Sequence, residues 1–244
     1  MINVLTKPFK YFFKLESASG LLLLFSATIA LIISNSSYAA IYFETLQKYI
    51  SIGVGQFVLK LSLIHWVNDV LMTIFFFLVS LEIKRELVQG ELSNPKKALL
   101  PIIGAFGGML IPAIIYVLIN INSPETLKGW AIPTATDIAF SLGVLSLLGK
   151  RVPLSLKIFL TALAIIDDLG AIVIIAFVYS GNIQVFYLLL MSVALIILYI
   201  LNKFKVRIFI PYLIIGIFLW HFTQQSGVHA TISGVLLALL IPHD

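Results

Sequence analysis

Asp167 and Asp168 stand side by side in TALAIIDDLGAIVIIAF, the otherwise apolar stretch from Thr161 to Phe177. If that stretch crosses a bilayer, each carboxylate costs about 2.5–3.5 kcal/mol on insertion scales. Successive residues of a helix point about 100° apart, so the two carboxylates do not share a direction. One can face an ion site while the other borders it or meets a neighbouring helix. Two carboxylates this close resist ionising together. Ionised, a carboxylate offers hard oxygen ligands that suit a small hard cation, as they do calcium and magnesium. One group can therefore hold either a proton or a metal ion.

A second stretch has related chemistry. GWAIPTATDIAFSLGVLSLLG, from Gly129 to Gly149, places Thr134, Thr136 and Asp137 directly after Pro133. Proline lacks an amide proton and disturbs the preceding turn. Broken backbone at membrane depth is tolerated where protein or a watery cavity satisfies it, and discontinuous helices of this kind form transporter ion sites. Of the eleven acids, Asp137, Asp167 and Asp168 fall inside apolar stretches. Ionisable groups at that depth face a bundle interior or cavity and mark ion paths and proton relays. A buried ion pair is the structural alternative, but no Lys or Arg lies near the middle of any apolar span.

The remaining charged groups sit near helix ends. SLEIKRELVQGEL, Ser80 to Leu92, gathers Glu82, Lys84, Arg85 and Glu86, with the two acids one turn apart. Alone, that cluster reads as a solvated helix end; at the mouth of a funnel it also attracts cations and senses pH. Asp69, in HWVNDVLM, lies near the opposite end of the same stretch. His229, in QSGVHATISG, is a helix-end residue or a proton-sensitive group. No histidine pair has metal-ligand spacing, and no nucleotide-binding, serine-hydrolase or zinc-protease motif occurs. ATP-driven transport and cofactor chemistry are therefore not indicated.

These residues need elements that hold them in a membrane. The chain is 60% hydrophobic and 11% charged over 244 residues, against about 25% charged for a soluble domain. It has no cysteine, which removes disulfides, thiolate metal sites and cysteine nucleophiles. The reading is an all-α polytopic membrane protein in one domain, 1–244, embedded in a lipid bilayer. Eight transmembrane helices are predicted, at roughly 17–35, 63–83, 98–119, 129–148, 155–179, 184–201, 207–222 and 226–241, with the fourth interrupted. A signal peptide is the alternative for the first, but KPFKYFFK, Lys7 to Lys14, looks more like a segment lying at the interface.

With the N-terminus in the cytoplasm, thirteen of the sixteen Lys and Arg residues fall on the cytoplasmic side, leaving Lys48, Lys60 and Lys128 outside. That asymmetry predicts both termini inside. It also accounts for the net charge of +5 without any nucleic-acid partner. LQKYISIGVGQFVLKLS, Leu46 to Ser62, reads as an outer β-hairpin or an irregular loop. A lone hairpin is marginally stable, so a second subunit's hairpin is a candidate partner. Small residues recur every four positions at Ala135, Ala139 and Gly143, and Gly104 and Gly108 form a GxxxG pair. Both patterns permit close helix approach.

NDVLMTIFFFLVSLEIKREL, GWAIPTATDIAFSLGVLSLLG, RVPLSLKIFLTALAIIDDLGAI and SGVHATISGV together resemble the NhaA family of sodium/proton antiporters, in family order and over nearly the whole chain. The broken-helix, inverted-repeat architecture is itself described for this family. The resemblance implies that Asp167 and Asp168 are the paired ion- and proton-binding aspartates, with Asp168 the principal ligand of transported Na+ or Li+. It implies that Thr136 and Asp137 mark the crossing point of the broken helix and that Asp69 lines the outer ion path. Glu82, Arg85, Glu86 and His229 correspond to the pH-response groups, and Leu46–Ser62 to a homodimer contact.

The implied activity is electrogenic Na+(Li+)/H+ antiport by alternating access, without an enzyme reaction or a cofactor, in a bacterial inner membrane and serving sodium and pH homeostasis. The family has twelve spans, so eight would represent the N-terminal two-thirds of an inverted-repeat fold. The second broken helix, a buried lysine and a C-terminal half would be missing, and this chain alone would exchange ions poorly. A cation or proton channel, or a non-transporting fragment or subunit, are the rival readings.

Overall fold

The computed structural model describes residues 18–54, 57–136, 138–148, 151–178 and 181–242. Lys7–Lys14, Asp137, His243 and Asp244 lie outside these described residues. Along the described chain the order is α1 (Ala18–Ser34), α2 (Ala39–Gln47), β1 (Tyr49–Val54) and β2 (Phe57–Ser62). Then come α3 (Leu63–Gln89), α4 (Pro95–Asn120), α5 (Pro124–Leu127), a 3-10 turn (Ile132–Thr134), α6 (Ile138–Leu147), α7 (Leu154–Val178), α8 (Val185–Lys203), α9 (Phe209–Gln225) and α10 (Thr231–Leu240).

A helix occurs at each of the eight predicted spans, but the helices are not equal. Among the described residues, four stretches are long and apolar enough to cross a membrane: Leu63–Gln89, Ala98–Asn120, Ser155–Ala176 and Val185–Lys203. A fifth is obtained if the bent pair Gly20–Ser34 and Ala39–Gln47, which turns through 111°, counts as one span. α6 and α10 have ten residues each. At about 1.5 Å per residue such a helix covers only half of the roughly 30 Å hydrocarbon layer. α6 is short because the backbone breaks before it. α10 is short because the chain turns at Gly227, whose φ of +86° suits a residue without a Cβ, and because Pro242 follows it closely.

Large apolar side chains cover the outside of these helices. On α4, Ile103, Phe106 and Ile119 are 60%, 65% and 76% exposed. Water would disfavour so large a surface; lipid tails do not.

The chain divides into two compact units, 1–43 with 94–171 and 44–93 with 172–244. In the first, α1 packs on α6 and α4 packs on the 3-10 turn. The small-residue reading of α6 holds at Gly143: a Cβ there would sit 2.5 Å from Gly20 Cα, so two glycines let the backbones touch. The GxxxG reading of α4 holds only by half. Gly104 faces Leu163 of α7, while a Cβ on Gly108 would meet nothing within 4 Å. A seam of two glycines needs both on the contact face, and Gly108 is turned away from it. Buried Ala98, Ala105 and Ala113 recur every two turns and form the inner stripe of α4.

In the second unit α3 packs on α10, α8 on α9, and α9 on α10. Ala194, Leu198, Tyr212, Leu219 and Leu237 form one apolar core, and Phe76, Ile172 and Val235 another. Gly234 lets α10 approach the α3 backbone, since a Cβ there would lie 2.4 Å from the Thr73 carbonyl oxygen. The Leu46–Ser62 region is a hairpin. β1 and β2 pair antiparallel from Tyr49 opposite Ser62 to Val54 opposite Phe57. It does not stand alone: Trp66 Nε1 donates to the Ile50 carbonyl at 3.3 Å, tying the hairpin to the start of α3.

Candidate functional site: a buried carboxylate pair beside a broken helix

Asp167 and Asp168 lie in the middle of α7, 2% and 7% exposed. Their helix forms because aliphatic residues surround them on both sides, and its buried face also carries Ala162, Ala164 and Ile165. These small and medium side chains let neighbouring backbone come close to the acids. The backbone that does so is the break between the 3-10 turn and α6. Ile132–Thr134 is held by the Thr134 amide and the Thr134 hydroxyl, both donating to the Ala131 carbonyl, the hydroxyl at 2.6 Å. Ala135 is then extended, at φ −91° and ψ 137°, and the α-helix restarts at Ile138. The interruption predicted for the fourth apolar stretch is present, displaced just past Pro133.

The side chain and backbone of Thr136 lie beside the Asp167 carboxylate. Neither Asp167 oxygen has a partner at hydrogen-bond distance among the described residues. A buried carboxylate left in that condition costs several kcal/mol unless it is protonated or bound to a cation. Asp137, the next residue after Thr136, lies outside the described residues. Among the described residues no three His, Asp or Glu side chains gather into a metal cage. Oxygen ligands beyond the aspartate pair would come from hydroxyls and carbonyls such as those of Thr136.

The other predicted site residues belong to the second unit. Asp69 is half-buried in a π-helical turn of α3, Trp66–Leu71. Its carbonyl accepts the Trp220 indole N–H at 2.9 Å and the Thr73 hydroxyl. A π-turn spaces its residues differently from an α-turn and is often found at functional sites. Glu82 and Arg85 form an ion pair at the far end of α3, with Glu86 3.5 Å from the same Arg85 nitrogen. The Arg85 and Glu82 side chains are 57% and 43% exposed, so this is a solvated network of small net worth. His229 is not part of it. Its Nδ1 meets the Thr231 hydroxyl at 2.9 Å at the start of α10, whereas Lys84, next to Arg85, reaches the end of the same helix. Of the four proposed pH-response groups, Glu82, Arg85 and Glu86 thus gather on α3, while His229 stands apart at the start of α10.

An apolar cavity of about 300 Å³ opens among β2, α3, α9 and α10, lined by residues such as Trp66, Val70, Phe77 and Trp220. It is no ion site. Its two lining hydroxyls, Thr73 and Ser233, already donate to the carbonyls of Asp69 and Ala230.

The sequence profile of the family described as Na+/H+ antiporter 1 matches residues 10–244. The Na+/H+ antiporter NhaA of Pelagibacter ubique is 68% identical over 243 residues, covering 100% of this chain and 62% of the relative. That of Oleidesulfovibrio alaskensis is 51% identical over 241 residues, covering 99% and 53%. That of Pseudomonas putida strain GB-1 is 52% identical over 234 residues, covering 96% and 60%. The chain therefore spans between about half and two-thirds of the length of these curated relatives. With a family profile running through both the carboxylate pair and the broken helix, the chain belongs to the Na+/H+ antiporter 1 family.

Proposed function

We propose that this chain carries the cation- and proton-exchanging site of a sodium/proton antiporter, a secondary transporter rather than an enzyme. The observation that carries the reading is the Asp167–Asp168 pair, buried in the middle of an apolar helix beside the interrupted backbone at Thr136. A carboxylate buried as deeply as Asp167 favours neutralisation, and two agents suit it: protons and a small cation.

Asp168 is the principal Na+ or Li+ ligand in this reading and Asp167 its partner. The Thr136 oxygen, and Asp137 at the crossing point, complete the environment. In one orientation the pair releases protons and takes up Na+. After reorientation, protons displace the cation. Competition for the same carboxylates couples the two flows, and inward proton movement extrudes Na+. Unequal numbers of the two would make the cycle electrogenic. Asp69 lies on the outer ion path, and Glu82, Arg85, Glu86 and His229 adjust activity to pH. The protein sits in the inner membrane with eight spans and both termini in the cytoplasm. Leu46–Ser62 supplies a homodimer contact through its exposed strand residues, such as Ile52 and Val58.

The test is proton release. Purified chain in weakly buffered detergent receives Na+ or Li+, and the pH of the solution is followed. Competition predicts acidification that saturates with Na+ and is lost in Asp168→Asn. No release from the wild-type chain, or equal release from the variant, would contradict the proposal.

A further inference from the structure

α10 ends in an unusual way. Its last carbonyls have no following helical turn to bond them. The Ile241 amide reaches Leu237, but the next residue is Pro242, which has no amide proton to give to Ala238. Two side chains from other helices act at this end instead. The Lys84 ammonium, from α3, donates to the Leu239 carbonyl at 2.8 Å and also to the Ile241 carbonyl. The Asn202 amide, from α8, donates to the Leu240 carbonyl at 2.7 Å. A cation at a helix C-terminus also meets the negative end of the helix dipole.

We propose that Lys84 is a positioning residue: with Asn202 it forms the C-terminal cap of α10 and holds that short helix in register against α3. Its neighbours Glu82, Arg85 and Glu86 pair among themselves at the surface, whereas Lys84 turns inward to α10. The register has consequences further along. Gly234 abuts the Thr73 carbonyl, so α10 cannot slide past α3 without a clash. Val235 packs with Phe76 and Ile172, and Ile172 lies one turn beyond Asp168 on α7. Loosening the cap therefore loosens the packing at Ile172, which shares its helix with the carboxylate pair. Only this last consequence rests on the proposed antiport.

Backbone amide exchange of the purified chain tests the cap directly and needs no transport. Lys84→Met keeps the aliphatic stem and removes the donors. Amides of residues 236–241 should then exchange at least about tenfold faster, the scale of a lost charged hydrogen bond. Lys84→Arg restores donors and charge and should bring exchange back to within about twofold of wild type. Asn202→Leu removes one neutral donor and should speed the same amides by about three- to fivefold. It serves as the decisive variant should Lys84→Met unfold the whole protein.

Unchanged exchange in Asn202→Leu and Lys84→Met, or an Arg variant as loose as Met, would overturn the proposal. In the Na+-linked proton release assay the half-saturating Na+ concentration should rise severalfold in Lys84→Met and recover in Lys84→Arg; a value equal to wild type in Lys84→Met would overturn the link to the carboxylates. Normal cap behaviour with no Na+-linked release from the wild-type chain would instead reject the antiport reading and leave the cap standing.

Discussion

The middle of α7 and the far end of α3 each hold two acids, under opposite conditions. Asp167 and Asp168 are 2% and 7% exposed, and both Asp167 oxygens lack a hydrogen-bond partner among the described residues. Glu82 and Glu86 sit on an accessible helix end and share Arg85. Water and a counter-ion remove most of the cost of the second pair. Among the described residues no cation pairs with Asp167, and only Thr136 lies beside it, so its charge calls for a removable partner. The contrast teaches that acid count says little about an ion site. Burial in the middle of an apolar helix says more.

The largest effect should come from erasing that contrast at its source. Asp168→Asn removes one charge from the pair and should weaken Na+ binding by more than about a hundredfold, the scale of about 3 kcal/mol for breaking a buried charge pair. Calorimetric Na+ titration of the purified chain checks it. Next comes the frame that holds the broken helix. Gly143→Val would press a side chain onto Gly20 and should lower stability by about 1–3 kcal/mol, read as a lower thermal midpoint in detergent.

A smaller effect is expected at Thr136→Val, which removes the hydroxyl beside Asp167 while keeping the shape. Na+ affinity should fall by about three- to tenfold, a net loss of about 1 kcal/mol, with little change in stability. The smallest belongs to the exposed pair. Arg85→Gln should change the unfolding free energy by less than about 1 kcal/mol. A loss as large as that from Gly143→Val would erase the distinction between the two regions.

Much of this was legible in the sequence because the lipid setting makes hydropathy and charge strong signals. Each apolar stretch contains a helix, and the break after Pro133 follows from a missing amide. Asp167 and Asp168 stood out as charges within aliphatic sequence. What stayed hidden depends on distant partners. Whether Leu46–Ser62 forms a hairpin turns on contacts such as that of Trp66 with Ile50, which local alternation does not specify. Gly104 and Gly108 have the same spacing signal, yet only Gly104 faces α7. Lys84 looked like one more member of a charged helix end, because its carbonyl partners lie 155 and 157 residues further along. The π-turn around Asp69 has no local marker comparable to a proline. The ten-residue length of α10 depends on the turn at Gly227, which an apolar window of sequence overlooks.

The most direct test is the Na+ affinity of the purified chain measured across pH. If protons and Na+ compete for the Asp167–Asp168 pair, the apparent Kd should rise as pH falls, by about tenfold per unit where a single proton competes. It should level off at higher pH, where the pair is ionised. Asp168→Asn should flatten this dependence and leave only the weak binding stated above. A Kd that stays constant with pH, or one that is unchanged in Asp168→Asn, would contradict the account.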